Sequence, residues 1–202
     1  MLGAVIDNDS PRSTIDPTTF RLLLLMLYGA GLRISEALRL TLADVDLTTA
    51  VLHIRESKFY KTRLVPIGPD LTRLLIPHAA ARRRNHATPS SPFFVSRSGV
   101  AATRSSAESA FCRLRSRAGI VRYDGNPRHQ PRLHDLRATF AVHRLVSWYR
   151  SGADLQRLLP QLSTYLGHIN VQATQRYLAL TPELLREASD RFERYAMGPS
   201  HE

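Results

Sequence analysis

Cysteine is nearly absent from this chain: Cys112 is the only one in 202 residues. An internal disulfide is therefore impossible, and a zinc site built on cysteines is excluded, which suits a reducing compartment. No apolar run approaches the roughly 18 residues of a membrane span. The best candidate, Leu22 to Tyr28, is short and is followed by the Gly29-Ala30-Gly31 break. Met1 to Asp16 lacks the basic-then-apolar order of a signal peptide, so a cytoplasmic protein with no membrane partner is expected. Lysine is scarce too. Of the 28 basic residues only Lys58 and Lys61 are lysines, so arginine serves for ordinary surface charge. A guanidinium holds its proton too tightly to give it up, whereas an ammonium can release one. A retained lysine would suit a cationic general acid; biased codon use with accident is the alternative.

What the chain does have is positive charge. Its 28 basic and 17 acidic residues give a net charge of +11 and a sequence pI near 10.7, which favours a polyanionic partner such as nucleic acid. Ribosomal and membrane-surface proteins share that balance, so the motifs must decide. The length fits one domain, since chains of this size bury roughly 70% of the surface of the unfolded chain.

Punctuation along the sequence predicts a mostly helical chain with one small antiparallel sheet. After a polar leader, residues 1–15, Asp16 is placed to cap a helix that has Pro17 in its first turn and runs to about Tyr28. A second helix is expected from about Arg33 to Leu40. Val51 to Arg55 and Arg63 to Ile67 read as a hairpin, with Phe93 to Ser96 as a third strand. Between them Asp70 is expected to cap a helix ending near Asn85. Further helices are expected at about Thr103 to Ala118, from near His134, at Asp154 to Leu166, at Val171 to Leu178 and at Pro182 to Ala196. In the last of these, Leu185, Ala188, Phe192 and Tyr195 recur at helical spacing and make one face apolar.

Several short motifs could carry chemistry. Gly31-Leu-Arg-Ile-Ser-Glu-Ala-Leu38 puts Arg33 at a helix start, where its guanidinium and free backbone donors could meet a phosphate. An Arg33–Glu36 surface pair is the plainer reading. His134 and Arg137, three apart, share a face of one helical turn, so a proton carrier would sit beside a fixed cation. Leu166-Gly-His168 marks a glycine break before a helix that Asn170 could cap, and Tyr177 follows nine positions later. A tyrosine beside Leu178 and Leu180 is by itself an ordinary half-buried core residue.

Taken in order, Arg33, a hairpin lysine, His134, Arg137, His168 and Tyr177 resemble the active-site set of the tyrosine recombinases, the phage-integrase family. The motifs are Gly-Leu-Arg-Ile-Ser-Glu-Ala-Leu, a lysine hairpin ending Arg-Leu-Val-Pro-Ile-Gly, Leu-His-Asp-Leu-Arg, Leu-Gly-His and Gln-Arg-Tyr, spanning about Asp16 to Tyr195. The resemblance implies a helical catalytic domain over residues 16–202, its tail helix at about 182–196, acting on double-stranded DNA. It implies that Tyr177 attacks a phosphate, leaving a 3′-phosphotyrosyl bond and a free 5′-hydroxyl, with no ATP, metal or other cofactor. Arg33 and Arg137 would stabilise charge, His168 would donate to a non-bridging oxygen, Lys58 would protonate the leaving oxygen and His134 would assist proton transfer at Tyr177. It also implies a homo-oligomer on DNA, a synaptic tetramer, assembled through the tail; a tail packed on its own domain is the alternative reading.

Three features depart from the family pattern. The usual glycines around the hairpin lysine are missing from Glu56-Ser-Lys-Phe-Tyr-Lys61, where Lys58 fits the spacing from Arg33 better than Lys61. The stretch between Arg137 and His168 is several residues longer than in many members. Only about fifteen residues precede the catalytic region, whereas members usually carry an N-terminal DNA-binding domain that closes a clamp around the duplex. A truncated, non-catalytic DNA-binding or regulatory remnant is therefore the alternative, and a site-independent type IB topoisomerase-like enzyme shares the chemistry.

Overall fold

The computed structural model describes residues 13–55, 62–122 and 130–179, together with 186 and 189. Lys58 and Lys61, the leader up to residue 12, and the predicted tail helix apart from the helical positions Arg186 and Ser189 lie outside the described residues. The contacts divide the chain into two compact units, residues 1–137 and 138–202.

In the first unit, helix α1 (Pro17–Gly29) starts where the sequence places it: the Asp16 carboxylate accepts from the Thr19 backbone N–H at 2.9 Å, and Pro17 occupies the first turn. Leu22, Leu23, Leu24, Met26 and Leu27 are all buried, so α1 is the centre of the core rather than a surface helix with one apolar stripe. Gly31 takes a left-handed φ of +59°, a conformation glycine adopts without steric penalty. That turn brings the chain into α2 (Ile34–Arg39), which buries Ile34 and Ala37.

The small sheet is antiparallel, in the order β1 (Val45–Asp46), β2 (Val51–Ile54), β3 (Arg63–Pro66). Leu52 pairs with Val45 on one side and Val65 on the other, and all three are buried, as expected for one face of a pleated sheet. The third strand is therefore Val45–Asp46 and not Phe93 to Ser96. Phe93 and Phe94 are both fully buried, packed edge to face at 5.1 Å, and the segment makes only single bridges, Thr41 with Pro92 and Val95 with Ala101.

Helix α3 (Pro69–Arg84) is capped by Gly68, one residue before its Pro69, and not by Asp70. The Asp70 side chain is instead exposed and pairs with Arg73 at 2.8 Å. Proline favours the first helical position, which fixes the cap one residue earlier than the carboxylate suggests. Helix α4 (Arg104–Arg117) is capped by Thr103, which accepts from Ser106 N–H at 3.1 Å, and it buries Ala107, Ala110, Phe111 and Leu114.

The boundary between the units falls within α5 (Leu133–Arg150). The second unit packs the rest of α5 with α6 (Leu155–Leu166) and α7 (Gln172–Ala179) around Ala141, Leu145, Val146, Leu159, Leu162 and Leu166. Asp154 caps α6, and Gly167 ends it at φ +67°. Among the described residues no helix is long and apolar enough to cross a membrane.

Candidate active site

The first unit gathers Arg33, Arg63 and Arg137 around a buried carboxylate. Glu36, whose side chain is 4% exposed, takes Nη1 of Arg33 at 2.6 Å. It also takes both terminal nitrogens of Arg63, at 3.0 and 2.9 Å. Nη1 of Arg137 stands 3.8 Å from it. Burial pushes the Glu36 carboxyl up, but the hydrogen bonds and charge of Arg63, with the hydrogen bonds of Arg33, outweigh that and hold its pKa below the ordinary value. It is thus an anion that fixes the guanidinium groups, its own burial tolerated because it is paired.

Arg33 therefore does make the pair with Glu36 that the sequence allows, yet not as a surface contact. Its backbone N–H also donates to Glu36, at 2.9 Å, so the donor expected to meet a phosphate is already engaged. The guanidinium still faces outward in part, 22% exposed. It lines a cavity of about 510 Å³ with His134, Arg104, Arg115, Arg132 and Cys112. Arg137 is different. It is 1% exposed and donates to the Gly31 carbonyl at 2.7 Å, so the left-handed glycine and the arginine hold the turn before Arg33 in place.

His134 stands at the cavity edge. It is an exposed residue, yet partial desolvation first, then the positive charge of Arg137, lower its pKa; Arg132 and Arg33 act the same way, and Asp135 opposes them. Its neutral form is therefore favoured, as a proton acceptor requires.

In the second unit the glycine break does what the sequence anticipates. His168 follows left-handed Gly167, and its backbone N–H donates to Ser163 at 2.9 Å. The Nδ1 atom of His168 lies 2.7 Å from Oγ1 of Thr174, a fully buried side chain. Thr174 and Tyr177 are three apart on α7, hence on one face. The His168 and Tyr177 rings lie 6.1 Å apart, and Tyr177 is half-buried against the second core. Asn170 accepts from Ala173 N–H at 3.1 Å, the expected cap.

The structure thus brings Arg33, His134 and Arg137 into one unit, and His168 and Tyr177 together in the other. Sequence reasoning missed Glu36 as the organising anion, Arg63 as its bidentate partner and Thr174 as the support of His168. The one available signal was Glu36 within the arginine motif. Arg63, 27 positions away, has no local pattern.

Comparison with known proteins gives this arrangement its class. The fold superposes on the crystal structure of XerA recombinase with a TM-score of 0.70 at 26% identity, over 96% of this chain and 63% of that one. The catalytic domain of bacteriophage HP1 integrase matches at 0.55 and 26%, over 94% of this chain and 88% of that one. The fold is that of a tyrosine recombinase catalytic domain. The chain belongs to the phage integrase family, whose model matches residues 6–183. Two relatives carry the point further. A Sinorhizobium fredii protein, y4rB, carried under an integrase/recombinase name, is 43% identical over 91% of this chain and 58% of its own length. Tyrosine recombinase XerA of Pyrococcus horikoshii is 32% identical over 89% of this chain and 56% of its own. The chain therefore spans a little over half the length of the curated relatives it matches.

Proposed function

We propose that this chain is the catalytic domain of a site-specific DNA recombinase or integrase that cuts and rejoins double-stranded DNA through Tyr177. The observation that carries the reading is that Arg33 and His134 line one cavity while a buried carboxylate fixes the Arg33 guanidinium. A preorganised cation beside a neutral imidazole is what a phosphoryl transfer needs, since charge must be stabilised without reorganisation and a proton must move.

In the reaction, the Tyr177 phenolic oxygen forms a bond to the scissile phosphorus and the bond to the 5′-oxygen breaks. The phenol proton passes by way of His134, and the leaving oxygen takes a proton from Lys58, or from Lys61 if the hairpin presents that one. Arg33 and Arg137 neutralise the developing charge. A proton at Nε2 of His168, fixed there when Thr174 donates to Nδ1, is given as a hydrogen bond to a non-bridging oxygen. The phosphotyrosyl linkage conserves the bond energy, so the freed 5′-hydroxyl of a partner strand reverses the step with no cofactor. A cytoplasmic location follows from the substrate, and exchange between two duplexes calls for a homo-oligomer assembled through the C-terminal tail.

The test is a nicked duplex carrying the cognate site, on which cleavage becomes irreversible. Wild type is expected to accumulate a covalent protein–DNA adduct, and Tyr177→Phe none. Salt-sensitive binding with no adduct on any cognate site would mean a non-catalytic remnant. Relaxation of a plasmid lacking a preferred site would mean a topoisomerase. Light scattering that shows a strict monomer on and off DNA would count against exchange.

A further inference from the structure

A second cavity, of about 680 Å³, lies away from the one lined by Arg33 and His134. Its walls come from residues 13–14, the turn around Gly99 and one flank of α4. Two guanidinium groups, Arg97 and Arg113, border it, and most of the remaining lining is hydroxyl, including Thr14, Ser98, Ser105 and Ser109. Among the described residues, none of those that line it is acidic. By contrast, the Arg33 cavity includes Glu108. The volume falls within the range of about 300–1,000 Å³ typical of ligand pockets.

The start of α4 is not the attraction, because Thr103 and Ser106 cap each other there. What distinguishes the cavity is its chemistry. Arginine and short hydroxyls are the side chains that hold phosphate oxygens, which position a protein on a duplex without reading its sequence. No carboxylate among the described lining residues works against an anion there.

Resting on the reading above, we propose that this cavity is a second phosphodiester site, in which Arg97 and Arg113 hold backbone oxyanions of the bound duplex away from the scissile phosphate. The Arg33 cavity takes Arg104, Glu108, Cys112 and Arg115 from α4, and this one takes Ser105, Ser109 and Arg113. The two therefore flank a helix about 10–12 Å across with its side chains. Phosphates held in both would belong to separate stretches of backbone, and the pair would fix the orientation of the duplex on this unit.

The experiment is the salt dependence of duplex binding by wild type, by Arg97→Gln with Arg113→Gln, and by Arg97→Lys with Arg113→Lys. Each neutralised phosphate contributes about 0.9 to the slope of log affinity against log salt, so the glutamine pair is expected to lose roughly 1.8 and the lysine pair almost nothing. Phosphate ethylation should show interference at positions outside the scissile bond, absent in the glutamine pair. An unchanged slope in the glutamine pair overturns the proposal, as does an equal loss in the lysine pair, which would mark a structural role. Inorganic phosphate that shifts the amide signals of Ser98 and Ser105 while the slope stays unchanged would assign the cavity to the free ion, and would equally overturn it. An adduct at Tyr177 alongside an unchanged slope leaves the enzyme reading standing. A wild type that binds no duplex at any salt defeats both.

Discussion

Arg63 meets Glu36 through two parallel hydrogen bonds, Nη1 to Oε1 at 3.0 Å and Nη2 to Oε2 at 2.9 Å, across 27 positions of sequence. The same carboxylate anchors Arg33 and lies near buried Arg137. Removing its charge would leave Arg63, at 10% side-chain exposure, and Arg137, at 1%, without their anion. Breaking one partner of a buried pair typically costs about 3–5 kcal/mol. Glu36→Gln should therefore lower unfolding stability by that order in denaturant titration, although the change is nearly isosteric. A loss below about 1 kcal/mol would mean that the network is solvated rather than structural.

Acid should weaken the same network. In the folded chain Glu36 is held below its ordinary value of 4.5. As pH falls through 4.5, the unfolded chain binds a proton that the folded one still resists. Stability is therefore full above that value and lost progressively as pH drops through the folded pKa. Asp44, lowered by hydrogen bonds from Thr41 and by Arg55 against the opposing effect of burial, has the same sign. A urea series from pH 6 down to pH 3 should show stability falling, with a shallower fall in Glu36→Gln.

The helix starts and stops were legible because their causes are local. Asp16 with Pro17, Thr103, Asp154 and Gly167 all act within four residues of the backbone groups they satisfy. Where two local signals competed, as with Pro69 and Asp70, the wrong one was favoured. Strand β1 was invisible because two residues cannot display a period of two. Phe93 and Phe94 imitated a strand because adjacent burial on both sides also occurs in a loop threaded through the core. For the candidate site, order and motif nominate Arg33, His134, Arg137, His168 and Tyr177. They do not nominate Glu36, Arg63 and Thr174, because the importance of these comes from tertiary burial.

The depressed pKa of His134 has a kinetic consequence. If its neutral imidazole accepts the Tyr177 proton, adduct formation should hold to lower pH than an ordinary histidine, near 6.5, would allow. Asp135 pulls the other way. Asp135→Asn should therefore move the acid limb further down, while His134→Gln should abolish that limb and slow adduct formation by about 10²–10⁴-fold. Single-turnover rates on the nicked duplex across pH 5 to 8 would measure both. An acid limb unmoved in Asp135→Asn would take the titration away from His134.

Thr174 offers the sharpest separation of positioning from stability. Its side chain is fully buried, and its Oγ1 lies 2.7 Å from Nδ1 of His168. Thr174→Val keeps the shape and removes the hydroxyl. The imidazole could then turn about its bond or shift its proton to Nδ1, and either change removes the Nε2 donor from a phosphate oxygen. Loss of one transition-state donor of this kind typically slows a reaction by about 10²–10³-fold; a ring that retains part of its orientation would lose less. The expectation is a fall of at least tenfold in the rate of adduct formation with duplex affinity unchanged. Stability should change by no more than about 1–3 kcal/mol, the desolvation penalty of the group left unpaired. Thr174→Ser should restore the rate, because it returns the hydroxyl to the same position on the helix. If valine and serine slowed the enzyme equally, packing at α7 and not the hydrogen bond would be what His168 depends on.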